Sequence, residues 1–496
     1  MHPLFPAVRR EAGRTRLEAS MHTKIVATLG PASLKPEIMR EMVRHGVRIF
    51  RLNFSHADAA YFEPIIKTIR SLEGEFGIPL TALGDLCGPK TRIGEVADSP
   101  RTVDKGECLL LGLPDERPDP AKDERVFVSL DMPELLAGLR VGMPVNLSDG
   151  LLQFYVTREI KADRLYEIEA QNAGLLSSNK GIAFPGKHHP LPALTAKDVK
   201  DLHEGLEVGV DALAISFVQN AGDVVMTKEE IKKHGVWAPV VSKLERQNAV
   251  DNLDEILKVT DAVMVARGDL GLECPIPELP IIQKKIIRAC RHAQRPVIVA
   301  TQMLLSMVKN PIPTRAESTD VANAILDGAD CVMLSEETAV GDHVVETVRV
   351  MREISDNALE YYLERIPSPY APKREKNPGK FVAYSACLIA DNMEAKAIVC
   401  HSLSGYNARI TSSRRPRQQI FGVTPDPRVL RFLNFAWGVR PRLIEGGSDE
   451  DHIARVEAFV RACPDIAPGE PVVITAGRPT PGNETPGTNE VKIYYK

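Results

Sequence analysis

The sequence has no CxxC pair, no excess of charge of one sign and no GxxxxGK[ST] phosphate loop. Nor does any apolar stretch approach the roughly 18 residues that cross a membrane. Each absence closes off a class of function. The eight cysteines, at 87, 108, 274, 290, 331, 387, 400 and 463, stand apart and mostly inside apolar runs. That pattern argues against zinc and a disulfide framework and for a reducing compartment, so a cytoplasmic protein without a membrane partner is expected. A net charge of -4 with 26% charged residues leaves no electrostatic footprint for nucleic acid. Phosphorylated small molecules would have to be attracted locally. The missing phosphate loop disfavours P-loop chemistry.

What is present is alternation. From 23 to 90, and again from 192 to about 350, short β-branched or apolar runs alternate with amphipathic segments of helical length, which predicts parallel βα units. The runs fall at 24–29, 47–53, 80–85, 212–216, 240–243, 262–266, 297–301 and 331–334. Eight such strands over a summed length of about 250 residues predict a (β/α)8 TIM barrel, 22–90 plus 192–362, with catalytic groups at the C-terminal strand ends. Between its third and fourth strands, 91–191 has another texture: VFVSL, PVNLS and LLQFYV separated by Asp, Gly and Pro, read as an inserted all-β lid, a small β-barrel. A Pro- and Lys-rich linker is expected over 363–380. An open C-terminal α/β domain is expected over 381–496, with helices 381–394, 406–413 and 427–434, strands 397–401 and 419–423, and further strands near 472 and 491. Arg9, Arg10, Arg14 and Arg16 raise the question of a presequence, and 1–21 is read as a disordered extension.

In VVSKLE (240–245), Lys243 leaves a buried strand and Glu245, two residues on, shares its face. Alone this pair reads as readily as a structural ion pair. The next strand ends in RGDLG (267–271), which adds Asp269 in a glycine-containing turn. Mg²⁺, or equally Mn²⁺, takes one or two carboxylates plus substrate oxygens and water, so Glu245 and Asp269 form half of a plausible metal site. At the end of the second strand Arg51, Asn53 and Ser55 share a face, and Arg51 could clamp a phosphoryl group bidentately. Thr301, at the end of the seventh, offers a hydroxyl for a proton relay, or else a helix cap. Cations beside metal-bound phosphate point to phosphoryl transfer, a reaction that depends on positioning and electrostatics.

These residues sit in TKIVATLGPAS (23–33), RLNFSH (51–56), VSKLE (241–245), MVARGDLG (264–271), ATQML (300–304), PTRAE (313–317) and DVANAILDGADCVMLSEETAVGD (320–342), in which the chain closely resembles pyruvate kinase. The resemblance implies transfer of phosphate from phosphoenolpyruvate to ADP, giving pyruvate and ATP, with the metal on Glu245 and Asp269. It implies that Lys243 contacts the moving phosphoryl group, Arg51 clamps it, and Thr301 serves proton delivery to the enolate. It further implies that the Gly268 and Asp269 amides cradle the substrate carboxylate, and that Asn53, His56, Arg92 and Lys180, the last in SNKGIAFPG (178–186), meet the nucleotide. A homotetramer is the family expectation.

Two departures qualify this. Lys90 stands where many members that need potassium have Glu, and its ammonium could replace the ion beside Asn53, Ser55 and Asp85, so activity without potassium is expected. Glu336 stands where the family often has Gly. In the C-terminal domain Ser402, Ser404, Gly405 and Asn407 occupy the position of the family's phosphate-effector loop, where a phosphosugar or nucleotide effector is expected. Arg409, Arg414, Arg415 and Arg417 are read mostly as a solvated basic face. The rival readings are an enolate-forming lyase or aldolase and a metabolite sensor without turnover.

Overall fold

The computed structural model describes residues 22–89, 91–148, 150–187, 191–365, 368–373, 376–445, 452–477 and 487–496. The expected extension over 1–21 and Lys90 lie outside the described residues. Eight parallel strands close into a barrel in sequence order: β1 (Lys24–Thr28), β2 (Val47–Asn53), β3 (Thr81–Asp85), β4 (Ala212–Ile215), β5 (Val240–Leu244), β6 (Ala262–Ala266), β7 (Val297–Ala300) and β8 (Cys331–Leu334). β8 returns to β1 with Cys331 opposite Lys24. Helices cover the outside, so most of these strands are buried on both faces and read as continuous apolar runs. The expected barrel is therefore the observed one.

Local chemistry sets the helix ends. Thr195, Asn220 and Thr314 each form a reciprocal capping box with the acid three residues on. Gly209 and Gly328 terminate the helices Ala196–Val208 and Arg315–Asp327 at φ 101° and 102°, a region that costs glycine nothing.

The insert differs from the expected β-barrel. Its strands form a six-stranded sheet and a separate two-stranded one, Gly174–Leu176 on Arg101–Val103, and among the described residues hydrogen bonds do not join the two. Val103 and Leu176 still pack into the same core as Leu109, Phe154 and Tyr166, so the apolar alternation specified a shared core and not a closed ladder. One helical turn, Pro133–Leu136, lies among its strands.

The linker is shorter than expected. One helix runs from Val344 to Arg365 and the next, Pro378–Asn392, begins inside the Pro/Lys stretch, because proline suits the first helical turn. The C-terminal sheet has the order β11-β10-β9-β12-β13, where β9 is Ala397–His401, β10 Gln419–Thr424, β11 Val439–Leu443, β12 Pro471–Ala476 and β13 Glu490–Tyr495, the last antiparallel. β11 and the helix His452–Ala462 were not expected individually.

This domain closes the lower end of the barrel. Phe432 and Phe435 join the interior cluster of Val26, Ile49, Leu83, Val241 and Met264. Lys24 Nζ donates to Val439 O at 2.7 Å, and Thr81 Oγ1 to Arg431 O at 2.7 Å. Arg414 and Arg415 are 3% and 2% exposed, which overturns the solvated basic face for them. Arg415 lies over the Trp437 ring, 4.8 Å from its centroid, and donates to Gly328 O at 2.6 Å and to Asp330 Oδ1 at 3.0 Å. Asp330 also accepts from Trp437 N and Val297 N. Asp330→Ala is expected to cost about 3–5 kcal/mol, because it strands a buried guanidinium and two amides. Urea denaturation of the variant beside wild type measures the loss.

Candidate active site

Lys243 is the hub at the top of the barrel. Its Nζ lies 2.9 Å from Glu245 Oε1, 3.2 Å from Asp85 Oδ1 and 2.7 Å from Ser216 Oγ, to which it donates. Burial alone would lower its pKa, but Asp85 and Glu245 carry it above the ordinary value and keep it charged. Asp85, 1% exposed, is held below the usual carboxylate range despite burial, by Lys243 and by Arg51, whose Nε donates to Asp85 Oδ2 at 2.6 Å. A second Arg51 nitrogen donates to Thr28 Oγ1 at 3.1 Å. Asp85 thus anchors two cations here, while its Oδ1, 3.2 Å from Lys243 Nζ, makes no hydrogen bond. Asn53 is opposite Asp85 in the β2–β3 register, and its Oδ1 accepts the Ser55 amide at 3.1 Å.

Glu245 answers both sequence readings: it is an ion-pair partner of Lys243 and also stands beside Asp269. Its Oε2 accepts from Phe217 N at 2.7 Å, an amide aimed inward because Phe217 adopts φ 55°. Burial pushes the Glu245 carboxyl up to about 7; Lys243 opposes the shift and the neighbouring Asp269 charge adds to it. Lys243 balances only part of the charge of these two carboxylates, and the donor set suits a hard cation such as Mg²⁺. Among the described residues no group of three or more His, Cys, Asp or Glu could hold a metal, so this pair would need oxygens from substrate and water.

The exit of β7 is strained and braced. Thr301 and Gln302 adopt φ 70° and 53°, unusual for a β-branched residue and its neighbour. Arg267 braces them: it donates to Ala300 O at 3.2 Å and Thr301 O at 2.6 Å, and is itself anchored to Asp320 at 2.6 Å. Thr301 Oγ1 donates to Ala300 O at 2.6 Å and accepts the Gly268 amide at 2.8 Å. A substrate carboxylate would have to displace that hydroxyl to use the Gly268 amide. Asp269 lies in the first turn of the short helix Arg267–Glu273.

A cavity of about 190 Å³ joins Glu245 and Asp269 to the insert, lined also by Arg92, Gly181, Phe217 and Arg246. Arg92 forms an antiparallel bridge with Gly181, so Arg92 and the exposed Lys180 lie on adjoining segments. His56 is exposed on the turn after β2 and is not among the residues lining this cavity.

Four residues escaped the sequence reading: Ser216, Phe217, Arg246 and Arg267. Arg246 is 4% exposed, stacks 4.9 Å from the Phe217 ring centroid, and has two nitrogens without hydrogen-bond partners. Burial lowers its pKa, a cost that an anion in the cavity would offset. The adjacent motif letters were its only signal.

The expected effector residues fare differently. Asn407 is 4% exposed, donates to His401 O and Thr475 O, and accepts from the Thr475 and Thr488 hydroxyls. It is fully used inside the domain, which corrects its reading as a ligand contact. Ser402 is buried and accepts the Asn407 amide, Ser404 is exposed, and Gly405 precedes the helix Tyr406–Ser412 at φ 74°. Arg409 is likewise buried, over the Phe432 ring.

Comparison with known proteins agrees with this geometry. Residues 20–348 match the family model described as pyruvate kinase, barrel domain, and residues 380–494 match pyruvate kinase, alpha/beta domain. The pyruvate kinase of Methylorubrum extorquens is 37% identical over 484 residues, 97% of this chain and 98% of its own. That of Agrobacterium vitis is 39% identical over 459 residues, 92% of this chain and 93% of its own. That of Thermococcus litoralis is 36% identical over 488 residues, 96% and 98% respectively. These matches identify a phosphotransferase and set aside the lyase and aldolase readings. From its first barrel strand to its last sheet strand, the chain belongs to the pyruvate kinase family.

Proposed function

We propose that this chain moves the phosphoryl group of phosphoenolpyruvate to ADP in a Mg²⁺- or Mn²⁺-dependent reaction, with Lys243 as the central cation. The observation that carries the reading is Lys243 held charged between Asp85 and Glu245, beside Asp269. The P–O bond to the enol oxygen breaks as a β-phosphate oxygen of ADP bonds to phosphorus, and the enolate carbon takes a proton to give pyruvate. Glu245 and Asp269 would hold the divalent ion, which when bound neutralises phosphate charge. Lys243 stabilises the charge spread over the moving group, and Arg51, fixed by Asp85 and Thr28, orients it. Thr301 delivers the proton from a hydroxyl that the strained β7 exit fixes in place. The Gly268 and Asp269 amides receive the substrate carboxylate. Asn53, His56, Arg92 and Lys180 meet the nucleotide, with Arg246 adding positive charge.

Lys90 supports a potassium-independent variant through its sequence position between Pro89 and Thr91. ATP formation from phosphoenolpyruvate and ADP in potassium-free, Mg²⁺-containing buffer is expected to equal that with potassium added. No ATP would overturn the function; a large saturable stimulation by potassium would overturn only the role of Lys90. A homotetramer is proposed, supported by the exposed Ile281 and Ile312. Regulation by a phosphosugar or nucleotide is proposed at Ser402, Ser404 and Gly405, without Asn407. Among the described residues no helix is long and apolar enough to cross a membrane.

A further inference from the structure

A second concentration of positive charge lies far from the metal pair, in the seam between the barrel and the C-terminal domain. Arg291 and Arg295, from the end of the helix Leu279–Ala293 and the turn after it, face Arg409 and Arg415 from the C-terminal domain. One carboxylate, Asp330, lines the same space. Its oxygens are already committed to Arg415, Trp437 N and Val297 N.

The guanidinium groups are incompletely satisfied. Arg409 is 9% exposed and Arg415 2%, yet the Nε of each is buried without a hydrogen-bond partner. Arg295 turns its Nε and one terminal nitrogen to the carbonyls of Leu257 and Lys258, and Arg291 stacks 3.7 Å from the Tyr370 ring centroid. Neither supplies negative charge. A buried donor without a partner is costly, and more so when charged, so such orphans call for an occupant. The surrounding field agrees: Arg409 is lowered to about 10, by burial and then by Arg295. The neighbouring His292 is lowered to about 4, by burial and then by Lys373 and nearby arginines.

Size selects the occupant. The space open to the centre of a small occupant is about 10 Å³, room for one compact body. A phosphosugar, a nucleotide or phosphate is too large. Water fits but brings no charge.

We infer that this seam binds a single monatomic anion of the halide class, held by the arginines of both domains and completing the charge balance that Asp330 begins. The anion ties the start of β7 to the helix Tyr406–Ser412 and its following turn, so it acts as a fastener between barrel and C-terminal domain.

Two measurements on the full chain test this. Crystals of the wild-type protein soaked in bromide are expected to show an anomalous peak between Arg409 and Arg415. At constant ionic strength, replacing gluconate, which is too large to enter, by chloride is expected to raise Tm saturably by on the order of a few degrees. Bromide should do the same, and Arg409→Met should lose the difference. No bromide peak in the seam, or equal Tm in chloride and gluconate, overturns the inference, as does a chloride effect of the same size in Arg409→Met. A stronger effect of phosphate than of chloride would equally overturn it, since the site would then admit a larger anion. The wild-type arms stand whether or not the variant folds.

Discussion

Lys243→Met is expected to lower turnover by about 10³-fold or more at saturating substrates, because it removes the cation nearest the moving charge while keeping side-chain length. Preorganisation sets the size of the effect. Lys243 is not a mobile surface lysine brought in by substrate: it is 9% exposed and already tied to Ser216, Asp85 and Glu245, so its charge needs no rearrangement at the moment of transfer. Methionine leaves Asp85 with Arg51 and leaves Glu245 with only the Phe217 amide. Removing one partner of a buried pair costs about 3–5 kcal/mol, so circular dichroism and a denaturation curve must accompany the coupled assay. A folded variant with turnover within tenfold of wild type would remove Lys243 from the reaction.

Glu245→Gln should act on the metal. The substitution keeps shape and removes one of two charges that the proposed site depends on, so the Mg²⁺ activation constant is expected to rise by more than about 100-fold, the upper end of what loss of a merely supporting residue costs. The reading must not rest on activity alone. Titration of Mn²⁺, followed by its paramagnetic resonance signal, should show a site in wild type that is lost or greatly weakened in the variant. Unchanged Mn²⁺ affinity would make Glu245 only the partner of Lys243, the bland reading that its spacing also allowed. Glutamine keeps the acceptor for Phe217 N, so the backbone of the β4 exit should remain in place.

The barrel was legible because its strands are buried on both sides and separated by capped helices, which leaves long apolar runs between polar boundaries. β11 was not. It reads VRPRL, five residues with two arginines and a proline, and among the described residues it pairs only with β10 at the sheet edge, so its alternation is too short and too polar to stand out. The site divides the same way. Lys243, Glu245 and Asp269 stand at strand ends that spacing alone brings together. The roles of Ser216, Arg246 and Arg267 depend on partners contributed by other strands, and no local pattern encodes them. Asn407 and the arginines of the C-terminal domain show the opposite error. A polar side chain suggests solvent or ligand, but here hydroxyls and aromatic rings distant in sequence absorb it.

Phe432 and Phe435 fill the lower mouth of the barrel, although they come from the last third of the chain. The barrel is thus finished only after the C-terminal domain has been synthesised, and a truncation that ends near Arg365 would leave its apolar lumen open to water. Such a fragment should recruit chaperones or aggregate rather than fold as a free catalytic unit. The insert carries its own core and is expected to melt separately, whereas barrel and C-terminal domain should unfold in one transition. What looks like a regulatory module appended to an enzyme is, in folding terms, the stopper without which the vessel does not hold.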